Sequence, residues 1–325
     1  MNLRSILAQR GALARPPQGF WSCLILGAVF ALFAWSVPPF LQVENLRNIV
    51  DGSAVLLILA LGMTLIVAIG GIDLSVCIAF DFGAAFAIVA LKDYQVAWYL
   101  AVLIGIAGGV LVGLLNAVLV VQLSISPFLA TLGTFFIGSS VQRIFTHGGG
   151  PITFREAPLE FQNLAVGVFW GIPVKVWIAA AVLLVYFVLL ERSILGKRIH
   201  AIGMQRSAAH HAGVRVGATL VGALVLTAAT SALGGTIASA NMQMFTPMAG
   251  YAYLLNAIAA VFIGASLRAN GRPHVIGTLV GTLFLGMVAN GFNLMGLEPN
   301  EKAAAAGLVL LLALALSAWQ QRKHL

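Results

Sequence analysis

The sequence predicts an all-α, polytopic membrane protein of about ten transmembrane helices, some of them broken or re-entrant. Three observations predict it. Sixty per cent of the 325 residues are hydrophobic and only nine per cent are charged, whereas soluble domains carry about a quarter charged residues. Apolar stretches of spanning length recur along the chain, and the charges collect between them. The mean hydropathy is +0.99, which leaves no room for a separate soluble catalytic domain.

Hydropathy places spans at Phe20 to Val37, Ile49 to Ile69, Leu74 to Leu91, Ala97 to Val121, Phe128 to Phe145, Val176 to Leu190, Val216 to Ala238, Gly250 to Ser266, Val275 to Leu294 and Ala303 to Trp319. The first follows Arg4, Arg10 and Arg15 and is itself followed by Pro38 and Pro39 rather than by a small-x-small cleavage site, so it reads as an uncleaved span. With the amino terminus in the cytoplasm, twelve of the eighteen Lys and Arg fall inside. They comprise the three leading arginines with Arg192, Lys197, Arg198, Arg206, Arg215, Arg268, Arg272, Arg322 and Lys323, and the reverse orientation inverts the bias. The expected organisation is a cytoplasmic segment 1–19, a transmembrane domain 20–319 containing an outer loop 147–175 and a cytoplasmic loop 191–215, and a cytoplasmic tail 320–325. Both termini are then cytoplasmic and the chain is multi-pass.

The net charge of +8 belongs to these span ends. No basic stripe with interleaved aromatics is present, so nucleic acid is not an expected partner; membrane lipid is. Cys23 and Cys77 both lie in apolar segments and are expected as buried small hydrophobes. Gly105, Gly109, Gly113 and Ala117, like Gly277, Gly281 and Gly286, put small residues on helix faces where backbones can approach closely. The loop opening at His147 with Gly148, Gly149, Gly150 and Pro151 is long enough to carry its own short helix or to meet a partner.

Polar residues inside the spans are the candidates for a solute path. At Gly70-Gly71-Ile72-Asp73-Leu74-Ser75 the hydrophobic pattern breaks. Asp73 there either lines a polar path or caps the next helix through the amide of Ser75 or Val76. Asp81 follows eight residues on and is expected on the same helical face. Ser75, Asn116, Thr131, Asn256 and Asn290 complete the candidate path, with Thr134 and Asn293 beside them. Their uncharged donors and acceptors suit a neutral polyhydroxyl solute, and equally suit hydrogen bonds between helices.

The densest charge lies between Glu191 and Arg215, flanked by spans. Each charge costs about 2.5–3.5 kcal/mol at a bilayer centre, so this segment belongs in water. "LGKRIHAIG" reads as an irregular or extended lead-in, and "QRSAAHHA" as a short helix of about 12 Å with Gly213 as its left-handed cap. That order points to a docking element. Gly196 and Lys197 do not make a phosphate loop, because Arg198 occupies the Ser/Thr position and Glu191 that of the leading glycine. There is no HExxH and no serine elbow, and His210 and His211 point about 100 degrees apart on a helix. No enzyme activity, metal or cofactor is therefore implied.

"GMTLIVAIGGIDLSV" from Gly62, "SPFLATLGT" from Ser126, "GKRIHAIG" with "SAAHHAGV" from Gly196, and "NAIAAVFIGAS" with "GTLVGTLFLG" from Asn256 together resemble the permease subunits of bacterial ATP-binding-cassette importers for ribose-type monosaccharides and autoinducer-2. The resemblance implies a dimerising permease without its own ATPase site, with 20–319 as the permease domain in a bacterial inner membrane and the loop 147–175 in the periplasm. Its implied partners are a cytoplasmic ATP-binding-cassette ATPase, a second identical or homologous permease, and a periplasmic solute-binding protein. It further implies ATPase coupling through Gly196, Gly203, Gln205, Arg206, Ser207, Ala208, Ala209 and Gly213. The chain departs from the family's usual pattern at Cys77, Met204-Gln205, Leu255-Asn256 and Arg268-Ala269-Asn270, which suits pairing with a non-identical sister subunit. The implied cargo is a small neutral solute, a monosaccharide first, with autoinducer-2 or a nucleoside as alternatives. A secondary transporter using Asp73 and Asp81 as ion or proton sites is the alternative from another class.

Overall fold

A computed structural model of the chain describes residues 20–268 and 270–298, with isolated positions 301, 304, 307, 308 and 311 beyond them. It is helical nearly throughout. In chain order the helices are α1 (Phe20–Ser36), α2 (Val43–Ala68), α3 (Val76–Lys92), α4 (Trp98–Ala117), α5 (Pro127–Phe145), α6 (Leu159–Val166), α7 (Val174–Phe187), α8 (Ile194–Met204), α9 (Arg206–His211), α10 (Val216–Met242), α11 (Tyr251–Ala265) and α12 (Val275–Leu294). Wider π turns extend α4 through Val118–Gln122 and α7 through Val188–Arg192. Two two-stranded sheets complete the described structure: β1 (Ile152–Thr153) pairs with the remote β4 (Met244–Phe245), and β2 (Val168–Phe169) forms a hairpin with β3 (Ile172–Pro173).

Nine helices coincide with expected spans, but among the described residues only six are long and apolar enough to cross a membrane. These are α2, α4 with its π turn, α5, α7 with its π turn, α10 and α12. The expected count of about ten is not reached because α1, α3 and α11 have only 17, 17 and 15 residues. The expected span from Ala303 and the terminal segments fall largely or wholly outside the described residues.

Contacts between remote segments define two ends of the bundle. At one end Gly70 approaches Gly203, Gly71 approaches Pro127, and Val275 N–H reaches Glu191 at 3.4 Å. At the other, Lys175 pairs with Asp51 at 2.8 Å and β1 meets β4. The loop 147–175 does fold on itself, forming α6 and the β2–β3 hairpin, with Trp170 in a left-handed conformation at its tip (φ 52°).

The core forms where α2, α3, α4 and α10 meet, and small residues set its spacing. A Cβ at Gly83 would lie 2.6 Å from the Ala232 Cα, and one at Gly105 would lie 2.6 Å from the Thr236 hydroxyl. The glycine spacing that the sequence shows thus brings α4 and α3 against α10 backbone to backbone. Hydroxyls add directional links. Thr227 donates to the Gly62 carbonyl (2.9 Å), Thr236 to that of Gly83 (3.2 Å), and the Thr64 and Thr278 hydroxyls share a bond of 2.8 Å. Cys77 is buried among these helices, but Cys23 is exposed, because α1 lies at the rim with one face turned outward.

Candidate functional site

The break at Gly70 and Gly71 releases the chain from α2 into a turn, and α3 begins only at Val76. Asp73 therefore lies outside the helix, and its expected helical register with Asp81 does not apply. Its Oδ1 accepts from the Ser75 amide at 2.8 Å and from the Ser75 hydroxyl at 2.6 Å, so it caps the turn that leads into α3, whose own N-cap position is Ser75.

The capping pair opens a longer chain of bonds. Asn116 Nδ2 donates to the Ser75 hydroxyl (2.6 Å), and the Thr134 hydroxyl donates to Asn116 Oδ1 (2.6 Å). Thr131 accepts from the Leu74 amide at 3.2 Å. Asp73, Ser75, Asn116, Thr131 and Thr134 are each at most 2 % exposed. The structure thus gathers four of the candidate path residues into one buried network joining the start of α3 to α4 and α5. Every bond in it is internal, so in this conformation it fastens three helices together.

Asp81 makes a different connection. Gly250 N–H donates to its Oδ1 at 2.7 Å, just ahead of α11. Beside it, Gln142 of α5 accepts from the Met248 amide at 2.8 Å. Two buried side chains thus grip the non-helical stretch 243–250, where Gln243 and Met248 are left-handed (φ 51° and 63°). Asp81 Oδ2, Gln142 Nε2 and the Thr246 hydroxyl are buried without hydrogen-bond partners among the described residues. Asn256 and Asn290 join neither group. Asn256 is exposed and bonds back to Ala252 (3.0 Å), and the buried Oδ1 of Asn290 has no partner among the described residues.

An open groove of about 660 Å³ runs between α5 and the start of α11. Phe135, Phe136, Ser140, Arg143, Met248 and Tyr251 line it. Nothing in the residue types of the sequence sets these side chains apart, because aromatics and a span-end arginine are ordinary membrane-helix residues. The spacing of Phe135, Ser139 and Arg143 at four residues was the available signal.

In the segment between Glu191 and Arg215, "LGKRIHAIG" is not an irregular lead-in but the body of α8, capped by Ser193, whose hydroxyl accepts from Gly196 N–H at 3.2 Å. Gly196, Ile199 and Ile202 form its buried face, with Lys197 and Arg198 outward. Gly196 is buried against the Leu190 carbonyl, and Gly203, though exposed, rests against the end of α2, so both of these candidate coupling glycines serve close backbone packing. Gln205 is extended (φ −159°) and sets the corner into α9. There Arg206, Ser207, Ala208, His210 and His211 are exposed while Ala209 is buried. Gly213, at φ +80°, ends α9 as expected, with Val214 N–H bonding to the Ala209 carbonyl at 3.0 Å.

Beneath α8, Glu191 accepts from Arg268 at 3.1 Å. His200 and His274 stand near this pair. Burial lowers both imidazoles from their ordinary range; the Arg268 charge adds to the effect at both and that of Arg272 at His200, while Glu191 opposes it at both and the Arg272 backbone carbonyl opposes it at His274.

Residues 45–314 match the family described as "branched-chain amino acid transport system / permease component". The chain is 33% identical over 287 residues to the ribose import permease protein RbsC of Bacillus subtilis (strain 168), covering 86% of each. It is 29% identical over 309 residues to the galactose/methyl galactoside import permease protein MglC of Escherichia coli (strain K12), covering 90% of this chain and 92% of that one. A probable ABC transporter permease protein, y4mJ of Sinorhizobium fredii (strain NBRC 101917 / NGR234), is 29% identical over 308 residues, covering 92% and 90%. No solved structure matches the chain. A match of this extent, over a bundle of apolar helices, means that the chain belongs to this permease family: it is a multi-pass inner-membrane transport subunit of an importer whose ATP hydrolysis is done by separate subunits.

Proposed function

We propose that this chain carries a small neutral monosaccharide across the inner membrane as the permease of an ATP-driven importer. The observation that carries the reading is the near end-to-end similarity to permeases named for ribose, allose and galactose. The exposed amide of Asn256 adds support, since an amide exchanges hydrogen bonds with a polyol without requiring charge.

In this reading residues 20–319 form about ten spans, both termini and the loop 191–215 are cytoplasmic, and 147–175 is periplasmic. A periplasmic solute-binding protein delivers the cargo, and a second permease, identical or homologous, completes the membrane unit. A cytoplasmic ATP-binding-cassette ATPase docks on α9 through Gln205, Arg206, Ser207 and Ala208, while Gly196, Gly203, Ala209 and Gly213 hold α8 and α9 in shape. Different affinity of that docking for the two ATPase states is what shifts the permease between its conformations. Asp73, Ser75, Asp81, Asn116, Thr131, Asn256 and Asn290 stand along the path or brace it.

Proteoliposomes containing the assembled importer, with ATP inside and sugar-loaded binding protein outside, test this. Uptake of D-ribose, D-allose or D-galactose that survives an uncoupler and stops with a non-hydrolysable nucleotide is the expected result. Uptake driven by a proton or sodium gradient without ATP overturns it.

A further inference from the structure

We infer that the groove between α5 and α11 is a sugar-contact site, in which Tyr251 and Phe135 receive the C–H face of a monosaccharide ring while Arg143 and Ser140 bond its hydroxyls. The inference rests on the proposed monosaccharide cargo and assigns residues to its recognition. The groove's volume of about 660 Å³ falls within the roughly 300–1,000 Å³ of small-molecule sites.

Its chemistry is mixed in the way a sugar requires. The Phe135 and Tyr251 rings lie 6.2 Å apart, with Phe136 edge-on to Phe135 at 5.5 Å. Apolar ring faces match the C–H patches of a furanose or pyranose. A guanidinium offers five fixed donors and a serine hydroxyl both donates and accepts, matching the hydroxyls around the ring. Among the described residues the ion pairs are Lys175 with Asp51 and Arg268 with Glu191, so Arg143 is engaged by no carboxylate there.

The lining holds a single charged side chain, Arg143; the rest is aromatic rings, two serine hydroxyls and the Met248 thioether, which offer a monosaccharide ring more contact than they offer an anion. The site is braced from within: Gln142, next to Arg143, holds Met248, and Asp81 holds Gly250, fixing both sides of the groove against one another. Asp81 and Gln142 are therefore positioning residues, and Tyr251, Phe135, Ser140 and Arg143 contact residues.

The assembled importer in proteoliposomes provides the test, with D-ribose, D-allose and D-galactose as probes. Tyr251→Ala and Arg143→Gln are expected to lower uptake by about tenfold or more, with Tyr251→Phe within about twofold of the parent, because the ring face is retained. Sugar binding to the isolated binding protein stays unchanged. Parent-like uptake in both Tyr251→Ala and Arg143→Gln overturns the inference.

A second arm does not depend on how well those variants fold. In a Cys23→Ser background, a bulky thiol reagent is expected to block uptake by Ser140→Cys about tenfold and to leave Leu103→Cys, on the exposed face of α4, unaffected. Equal sensitivity or equal resistance of the two overturns the site. Absence of uptake of any of the three sugars by the parent importer would instead overturn the cargo, so the two failures are distinguishable.

Discussion

Gly250 donates its backbone N–H to the carboxylate of Asp81 at 2.7 Å across 169 residues of sequence. The bond joins the start of α11, a helix of 15 residues, to the middle of α3. A half-length helix thus begins against a carboxylate within the bundle, and the stretch that leads to it needs no regular structure because side chains satisfy its amides.

Removing that acceptor leaves a buried amide unpaired. Asp81→Ala is expected to cost about 1–3 kcal/mol, whereas Asp81→Asn, which keeps an oxygen in place, costs less. Thermal unfolding of the purified importer followed by size-exclusion chromatography measures both, and equal losses would show that the bond to Gly250 carries no stability.

The bonds through Asn116 call for a double-mutant cycle. Asn116→Ala and Thr134→Val share a 2.6 Å bond, so their effects on stability are expected to be non-additive by about 0.6–1.7 kcal/mol. Additive losses would mean that each residue acts through packing alone.

At Gly83 a methyl group has nowhere to go, since its position falls 2.6 Å from the Ala232 Cα. Gly83→Ala is expected to destabilise by about 1–3 kcal/mol through overpacking, while Gly222→Ala, with open space around it, changes little. Unfolding temperatures of the two variants in detergent decide it.

On α9 the two alanines face opposite ways. Ala208→Glu is expected to remove the ATPase from a pull-down on the tagged permease while membrane insertion persists. Ala209→Glu is expected to disturb α9 itself, because Ala209 is only 5 % exposed. Co-purification of the ATPase in normal amount with Ala208→Glu would place the docking surface elsewhere.

Acid acts on the histidines beneath α8. Both His200 and His274 have lowered pKa values in the folded protein, so the unfolded chain binds the more protons as pH falls through about 6.5. Their contribution to stability is therefore complete at neutral pH and declines below that point. The groups facing them are Glu191, Arg268 and Arg272. A His200→Gln, His274→Gln pair is expected to flatten the loss of stability between neutral and mildly acid pH; an unchanged slope assigns it to other groups.

Hydropathy made nine helices legible, because burial in lipid or core demands the same apolar runs. It could not tell a full span from a half-span: α11 is as greasy as its neighbours and simply starts late, after a stretch fastened by Gln142 and Asp81. The segment Leu195 to Gly203 looked irregular on account of its glycines and charges. Those glycines are what lets α8 lie against the carbonyls of Leu190 and Ala68, an arrangement set by tertiary contact alone. Asp73 announced its cap by preceding an apolar run, whereas nothing local marks Asn116 as the hub between Ser75 and Thr134. The groove was hidden for the same reason, since Phe135 and Tyr251 meet only once the chain has folded.

Because Gly83, Gly109 and Gly113 seat α3 and α4 directly against the backbone of α10, these three rods have no cushion of side chains over which to slide. Any rearrangement during turnover must then swing them together as one rigid block, and the give must come from helices outside it, such as α1 at the rim.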